Sequence, residues 1–411
     1  MDVENLKSNY PELIAFMEKV GYSKEYISRI RGEIKHILAK ANRKNWNSYN
    51  DVYIEYAKRS NSTYYLHLKR VILGLIEHFE VYGQYPDGQR RHQLVKYDNY
   101  HLLANEFKAV IDNYRTVEKE RGIKDSTIYG NSSNAASFLL ELQRKGINTL
   151  RMIDEQTVLS VFVSAEGSLR RCYGYKKNIS AVFKACIPQD PETFIRILTF
   201  LPAIKNSRKN IQYLLPDEIN QIKKALSDEH SVLSLRNKAI GILALYTGLR
   251  SCDIAGLKKD SIDWENELIR INQQKTGVPL ELPLITVIGN AIYDYLTLER
   301  PETDCEYIFI SHFKPYRRLN AGSLSDVSFK IMDDADVRKS MKNRGGFRIF
   351  RHHLATELLG NGIPQPVISG ILGHTSPDSL KKYLSADFPH LKECSLSIER
   401  FPISEGVFEN A

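Results

Sequence analysis

Apolar residues recur every three or four positions along most of this chain, and a chain so patterned folds into amphipathic helices before anything else. Ile27, Ile30, Ile34, Ile37 and Leu38 make one such stripe, with Ser23 placed to cap its start and Glu25 and Tyr26 behind it. Leu6 to Val20 precedes it as another amphipathic run. Tyr49, Val52, Tyr53 and Tyr56 follow Trp46-Asn-Ser48 as a third helix, and Leu66, Leu68, Ile72, Leu75, Ile76 and Phe79 mark a fourth between Ser62 and Tyr82. Gly and Pro in Tyr82-Gly-Gln-Tyr-Pro-Asp-Gly-Gln-Arg-Arg91 then break the pattern and read as a linker.

Residues 101 to 187 repeat this plan. Asp125-Ser126 starts a helix carrying Ile128, Phe138, Leu139 and Leu142, and Gly146 ends it. Ile153-Asp-Glu-Gln-Thr-Val-Leu opens a short helix, and Ser168 to Ala185 makes another with Tyr175, Ile179, Val182 and Phe183. The offsets from Tyr26 to Ile128 and from Phe79 to Phe183 are about 100 residues, the length of one small domain. Two related four-helix units are therefore expected, although any two helical bundles share this much. Ile187-Pro-Gln-Asp-Pro191 closes the second unit, and the stretch to Asn210, with Lys205, Arg208 and Lys209, reads as a basic linker.

The pattern changes after Leu215-Pro-Asp-Glu-Ile219, where Pro216 suits the first turn of a helix. Glu267-Leu-Ile-Arg-Ile-Asn272 and Val278-Pro-Leu-Glu-Leu-Pro283 look like short strands joined at Gln274-Lys275-Thr-Gly277, a hairpin signal. The fold class expected is mainly α, with helical N-terminal domains and a mixed, mostly α third domain holding a small antiparallel sheet. The expected boundaries are 1–85, 100–190 and 211–395, followed by a tail over 396–411.

The 411 residues carry 57 Lys and Arg against 49 Asp and Glu, a formal charge of +8 that favours a polyanionic partner. No apolar stretch approaches the ~20 residues a membrane span needs. Met1-Asp-Val-Glu-Asn-Leu-Lys lacks the basic-then-apolar order of a signal peptide, so a cytoplasmic protein with no membrane association is expected. Cys172, Cys186, Cys252, Cys305 and Cys394 lie far apart, and none pairs as CxxC, which points to reduced thiols.

Chemistry-bearing residues gather in the third domain. Tyr246-Thr-Gly-Leu-Arg250 follows an apolar helix, Gly248 permits the tight turn, and Asp253 stands three residues on. In Arg348-Ile-Phe-Arg-His-His-Leu-Ala-Thr-Glu-Leu-Leu-Gly-Asn-Gly362, Phe350, Leu354 and Leu358 form a helical stripe, with Arg348 and Arg351 side by side off it. Two arginines on one edge can grip a phosphate through paired donors, or simply form a solvated edge. In Ile371-Leu-Gly-His-Thr-Ser-Pro-Asp-Ser-Leu-Lys-Lys-Tyr383, Gly373 caps a helix and Ser376-Pro377 reads as the start of the next. His374 then lies in a turn, and Tyr383 one to two turns into the following helix. Each piece alone also fits an ordinary surface or core residue.

In this order the set resembles the tyrosine recombinases, the phage-integrase family. Arg250, Lys275, Arg351, His374 and Tyr383 match its catalytic residues, and Tyr-Thr-Gly-Leu-Arg-Ser-Cys-Asp-Ile, Arg-His-His-Leu-Ala-Thr-Glu-Leu-Leu and Leu-Gly-His-Thr-Ser match its boxes. The similarity is strong over 211–385, looser over the second helical unit, which resembles the family's SAM-like core-binding domain, and vague over 1–85. One departure stands out: the usual His of the second box is Arg348, which stays protonated and cannot serve as a general base. His352 follows Arg351, as a His often does in the family, and reads as a packing residue.

The resemblance implies a site-specific recombinase, an integrase or transposase of a mobile element. Arg250 and Arg351 would clamp the phosphate oxygens, with Arg348 beside them and His374 as a further donor. Tyr383 would attack, its phenolate favoured by the cations, and Lys275 would protonate the leaving 5′ oxygen. Neither metal nor ATP is expected, since no Walker loop or metal-type carboxylate cluster occurs. The implied partner is double-stranded DNA at specific recombination sites, clamped between the helical and catalytic domains of a homotetramer. Lys205, Arg208 and Lys209 would cross its backbone, and there is room for accessory recombination proteins. Two other readings stay open. One is a DNA-binding architectural protein impaired by Arg348, and the other a type IB topoisomerase.

Overall fold

A computed structural model describes residues 1–87, 94, 99–164, 166–206, 211–338, 346–376 and 379–384. The chain divides into two compact units. One comprises Met1–Lys7, Glu33–Gln84 and the described part of 92–208, and the other Ser8–Gly32 with the described parts of 85–91 and 209–411.

The four N-terminal helices form where the periodicity places them: α1 (Val3–Val20), α2 (Lys24–Lys44), α3 (Tyr49–Arg59) and α4 (Thr63–Tyr82). Ser48 and Asp51 make a reciprocal capping box that starts α3, and Gly83 in left-handed conformation ends α4. Buried Glu33 is matched by the Tyr56 hydroxyl at 2.6 Å and by Lys69, so its charge is compensated inside the bundle.

The next helices are α5 (Asn105–Glu120), α6 (Asp125–Arg144), α7 (Glu155–Phe162) and α8 (Tyr173–Cys186). The last starts later than Ser168, because Val163 and Leu169 pair as an isolated β-bridge and hold that stretch out of the helix. The segment expected to be a plain linker also holds a helix, α9 (Pro191–Thr199). Asp190 accepts a hydrogen bond from the Thr193 backbone N–H, Pro191 occupies the first turn, and Phe194 and Ile197 join the core built around Phe138, Phe162 and Phe183. That burial turns an apparent linker sequence into a helix of nine residues.

The second unit's C-terminal part runs α10 (Pro216–Ser227), α11 (Leu235–Thr247), α12 (Ser251–Ala255), β1 (Ile262–Asp263), β2 (Leu268–Asn272), β3 (Pro279–Pro283), α13 (Thr286–Asp294), α14 (Ala321–Asp334), α15 (Arg348–Gly360), α16 (Gln365–Leu372) and α17 (Lys381–Leu384). The three strands are antiparallel in sequence order, and Ile269 opposite Leu282 turns one face into the core. This core, with Ile240, Leu243, Ile288, Phe309, Ile331 and Phe350, carries α11, the sheet and the start of α15, while α16 and α17 pack in a second cluster with Ala355 and Leu359. No helix among the described residues is long and apolar enough to cross a membrane.

Candidate active site

The α11–α12 junction is built on Gly248, whose φ of 60° closes α11 and whose missing side chain makes room. A Cβ there would stand 2.9 Å from Leu354 and 3.1 Å from Leu372. The turn delivers Arg250 to the N-cap of α12, mostly buried. Its guanidinium donates to the Gln273 side-chain oxygen and, at 3.4 Å, to the Gly373 carbonyl, with Asp253 at 4.0 Å. Asp253 is itself buried, and its Oδ1 accepts the Gln274 backbone N–H at 2.8 Å. The arginine is thus oriented by three different segments, not left to sample solvent.

Of the two alternatives left open for Arg351, the solvated edge does not hold. The residue is only 8% exposed, and its guanidinium donates to the Gly248 carbonyl at 3.0 Å and the Leu372 carbonyl at 2.7 Å. The inward positions of α15 include Phe350, Arg351, Ala355 and Leu359, while Leu354 and Leu358 are half-buried. The helix is covered on two sides, by the main core at Phe350 and by a second cluster at Ala355 and Leu359, so a single apolar stripe could not locate Arg351. Arg348 remains exposed. Burial, reinforced by the nearby Arg250 charge, pushes the Arg351 guanidinium down to about 10, which leaves it a cation at neutral pH.

Gly373, φ 61°, ends α16 and turns the chain so that His374 stands half-buried, its backbone N–H bonded to the Ser369 carbonyl at 2.9 Å. A Cβ at Gly373 would lie 2.4 Å from the Gln273 amide. Gly373→Ala is expected to destabilise the domain by about 1–3 kcal/mol, from positive φ plus this collision, and to displace His374. Chemical denaturation would show it as a lowered midpoint; an unchanged midpoint would contradict the crowding.

Tyr383 sits in α17 with 0% exposure, packed with Ala355, Leu359, Ile368, Leu372 and Leu380. The described helix begins at Lys381, later than Ser376-Pro377 suggested; Pro377 lies outside the described residues. The His352 ring meets Tyr383 edge-on at 5.6 Å, and His352 Nδ1 is 3.0 Å from the Gln212 carbonyl. His352 therefore packs, as expected, but directly against the tyrosine. Burial raises the Tyr383 phenol above its ordinary value; the charge and hydrogen bond of Arg351, then Arg250 and Arg348, pull the other way without prevailing. The cations favour the phenolate as expected, but desolvation outweighs them and the net shift is upward. Tyr383 therefore holds its proton more tightly folded than unfolded, so its contribution to stability is complete below pH about 10 and falls as pH rises beyond that. Tyr383→Phe should lose less stability than the parent between pH of about 8 and about 11 by thermal melting; equal losses would contradict the assignment.

Arg250, Arg351, Tyr383 and the turn carrying His374 are therefore gathered in one place. Lys275 is exposed on the hairpin turn beside them. Lys205 is exposed, and Arg208 and Lys209 lie outside the described residues. Among the described residues no cluster of His, Cys, Asp and Glu could hold a metal. Gln273 was not singled out in the sequence, although it continues the inward parity of Ile269 and Ile271 and a polar residue there is a signal.

The pattern of the phage integrase family matches residues 212–390. A putative integrase/recombinase of Sinorhizobium fredii is 35% identical over 188 residues, 46% of this chain and 96% of that protein. The chain belongs to the phage integrase family. Two other putative integrase/recombinases of that organism match this family member at 27% and 29% identity, and it spans only 38% and 43% of their length. Tyrosine recombinase XerA of Pyrococcus furiosus is 29% identical over 69% of this chain and 99% of its own. In fold, the chain is similar to XerH site-specific recombinase in a post-cleavage complex with palindromic difH substrate, at TM-score 0.54 and 19% identity, covering 72% of this chain and 96% of that one. This member of the tyrosine recombinases departs from the usual second box at Arg348, whose exposure leaves the buried pair Arg351 and Tyr383 intact.

Proposed function

We propose that this recombinase, an integrase or transposase of a mobile element, cuts and rejoins duplex DNA at specific sites through a 3′-phosphotyrosyl intermediate. The observation that carries the reading is the convergence of a buried tyrosine with two oriented arginines: Tyr383 packs with Leu372, whose carbonyl Arg351 engages, and Arg250 reaches the next carbonyl, that of Gly373. The Tyr383 oxygen attacks phosphorus as its proton passes to solvent, the bond to the 5′ oxygen breaks, and Lys275 supplies the proton that oxygen needs. Arg250, Arg351 and His374 stabilise charge on the non-bridging oxygens, and Arg348 adds a more distant cation. One phosphodiester replaces another, so rejoining is the same step reversed with a new 5′ hydroxyl.

In this reading residues 211–395 perform the chemistry and 1–85 and 100–190 hold DNA; the expected tail, 396–411, lies outside the described residues. Lys205, Arg208 and Lys209 add salt-dependent backbone affinity. Four protomers exchange strands, an assembly taken from the family resemblance. Incubation with nicked duplexes of randomised core, in EDTA, is expected to yield an SDS-resistant protein–DNA adduct enriched in one sequence. Salt-sensitive binding with no adduct, restored by Arg348→His, would instead support the impaired architectural reading.

A further inference from the structure

We propose that Gln273 is a positioning residue of this active site, a neutral buried amide that sets the orientation of Arg250 for the scissile phosphate. The inference rests on the recombinase reading above.

Gln273 is 1% exposed, at the end of β2. Its side-chain oxygen accepts from the Arg250 guanidinium and from the Thr276 hydroxyl at 2.8 Å. Its amide nitrogen donates to the Leu372 carbonyl at 3.1 Å, the same oxygen that Arg351 engages at 2.7 Å. One side chain therefore ties the two arginines to the turn that leads into His374. The backbone of Gln273 closes the hairpin as well. Its N–H bonds the Val278 carbonyl at 2.9 Å and its carbonyl accepts the Gly277 N–H at 2.7 Å, bracketing Lys275. The place is shaped for this amide, since Gly373 is the one residue type that clears it.

The chemistry requires a glutamine. Both a donor and an acceptor are used, which a carboxylate or a thioether of the same length cannot supply together. A neutral acceptor also orients Arg250 without cancelling the charge intended for phosphate, whereas a glutamate would pair with it and face the Leu372 carbonyl with a second negative atom. A guanidinium released from this hold would be misplaced by about the distance that costs catalysis ~10²-fold.

The test compares single-turnover cleavage of one nicked duplex by the parent, Gln273→Met, Gln273→Glu, Arg250→Ala and Lys275→Ala. The duplex is made in three forms: an ordinary scissile phosphate, a neutral methylphosphonate, and a bridging 5′ sulfur that leaves without protonation. Gln273→Met is expected to cleave the ordinary site about 10²-fold more slowly with DNA affinity unchanged. Its defect should shrink on the methylphosphonate together with that of Arg250→Ala, because a neutral centre no longer needs a placed cation. The 5′ sulfur should rescue Lys275→Ala and leave Gln273→Met slow. Gln273→Glu guards against misfolding of the Met variant and should show the same substrate pattern. Equal defects on all three substrates would mean a structural role and overturn the proposal, as would parental rates for both variants. A parent that forms no adduct on any duplex would overturn the recombinase reading and this inference with it.

Discussion

Replacing Tyr383 with phenylalanine is expected to reduce covalent adduct formation by at least ~10⁴-fold while leaving DNA affinity and the fold nearly unchanged. The ring is what the domain packs: it fills the cluster of Ala355, Leu359, Ile368, Leu372 and Leu380 and takes the edge of His352, and phenylalanine keeps both contacts. In the proposed mechanism the hydroxyl oxygen is the attacking atom. Its loss leaves the ring's packing in place, so the change in stability is small against the loss of that atom. A gel separating SDS-denatured protein from labelled nicked duplex checks the first part, and salt-dependent binding curves the second. Adduct yields within tenfold of the parent would refute Tyr383 as the nucleophile.

Arg351→Met should cost cleavage about 10³-fold and, separately, stability of about 1–3 kcal/mol. The two losses have different origins. Catalysis loses a cation held where non-bridging oxygens gain charge. Stability suffers because the Gly248 carbonyl loses the Arg351 donor and the Leu372 carbonyl is left with the Gln273 amide in place of two donors. Arg351→Lys should recover little of either, since an ammonium cannot span two carbonyls and still present a planar fork to phosphate. Single-turnover rates and denaturation midpoints separate the effects. A lysine variant with parental cleavage would show that charge alone suffices and that the fork geometry is idle.

The contrast between Arg351 and its neighbours shows where sequence reasoning stops. The turns at Gly248 and Gly373 and the hairpin around Lys275 were legible because each follows from local chemistry: left-handed backbone at glycine, and alternating apolar strands about a turn. The proposed catalytic set rests on order and spacing along the chain. What escaped depended on tertiary cover. One stripe on α15 predicted one buried face, but the helix is packed on two, so Arg351, which the stripe leaves off the core, is inside. Burial also outweighed the downward pull of the cations on the Tyr383 phenol, since neighbouring cations are visible in sequence and desolvation is not. The α9 helix was missed for a different reason. Its Asp190-Pro191 start carries a proper cap and first-turn proline, yet the same two residues read as a domain's closing turn until Phe194 and Ile197 are seen in the core. Gln273 is intermediate: its inward parity was available, but only the fold shows that Arg250 and Leu372 meet it.

The most direct measurement is the chemistry of the trapped adduct itself. The parent protein, captured on a nicked duplex and digested, should give one DNA-linked peptide containing Tyr383, joined to a 3′ phosphate, with the released strand ending in a free 5′ hydroxyl that a polynucleotide kinase can label. A link to another residue, or to a 5′ phosphate, would contradict the account at its centre.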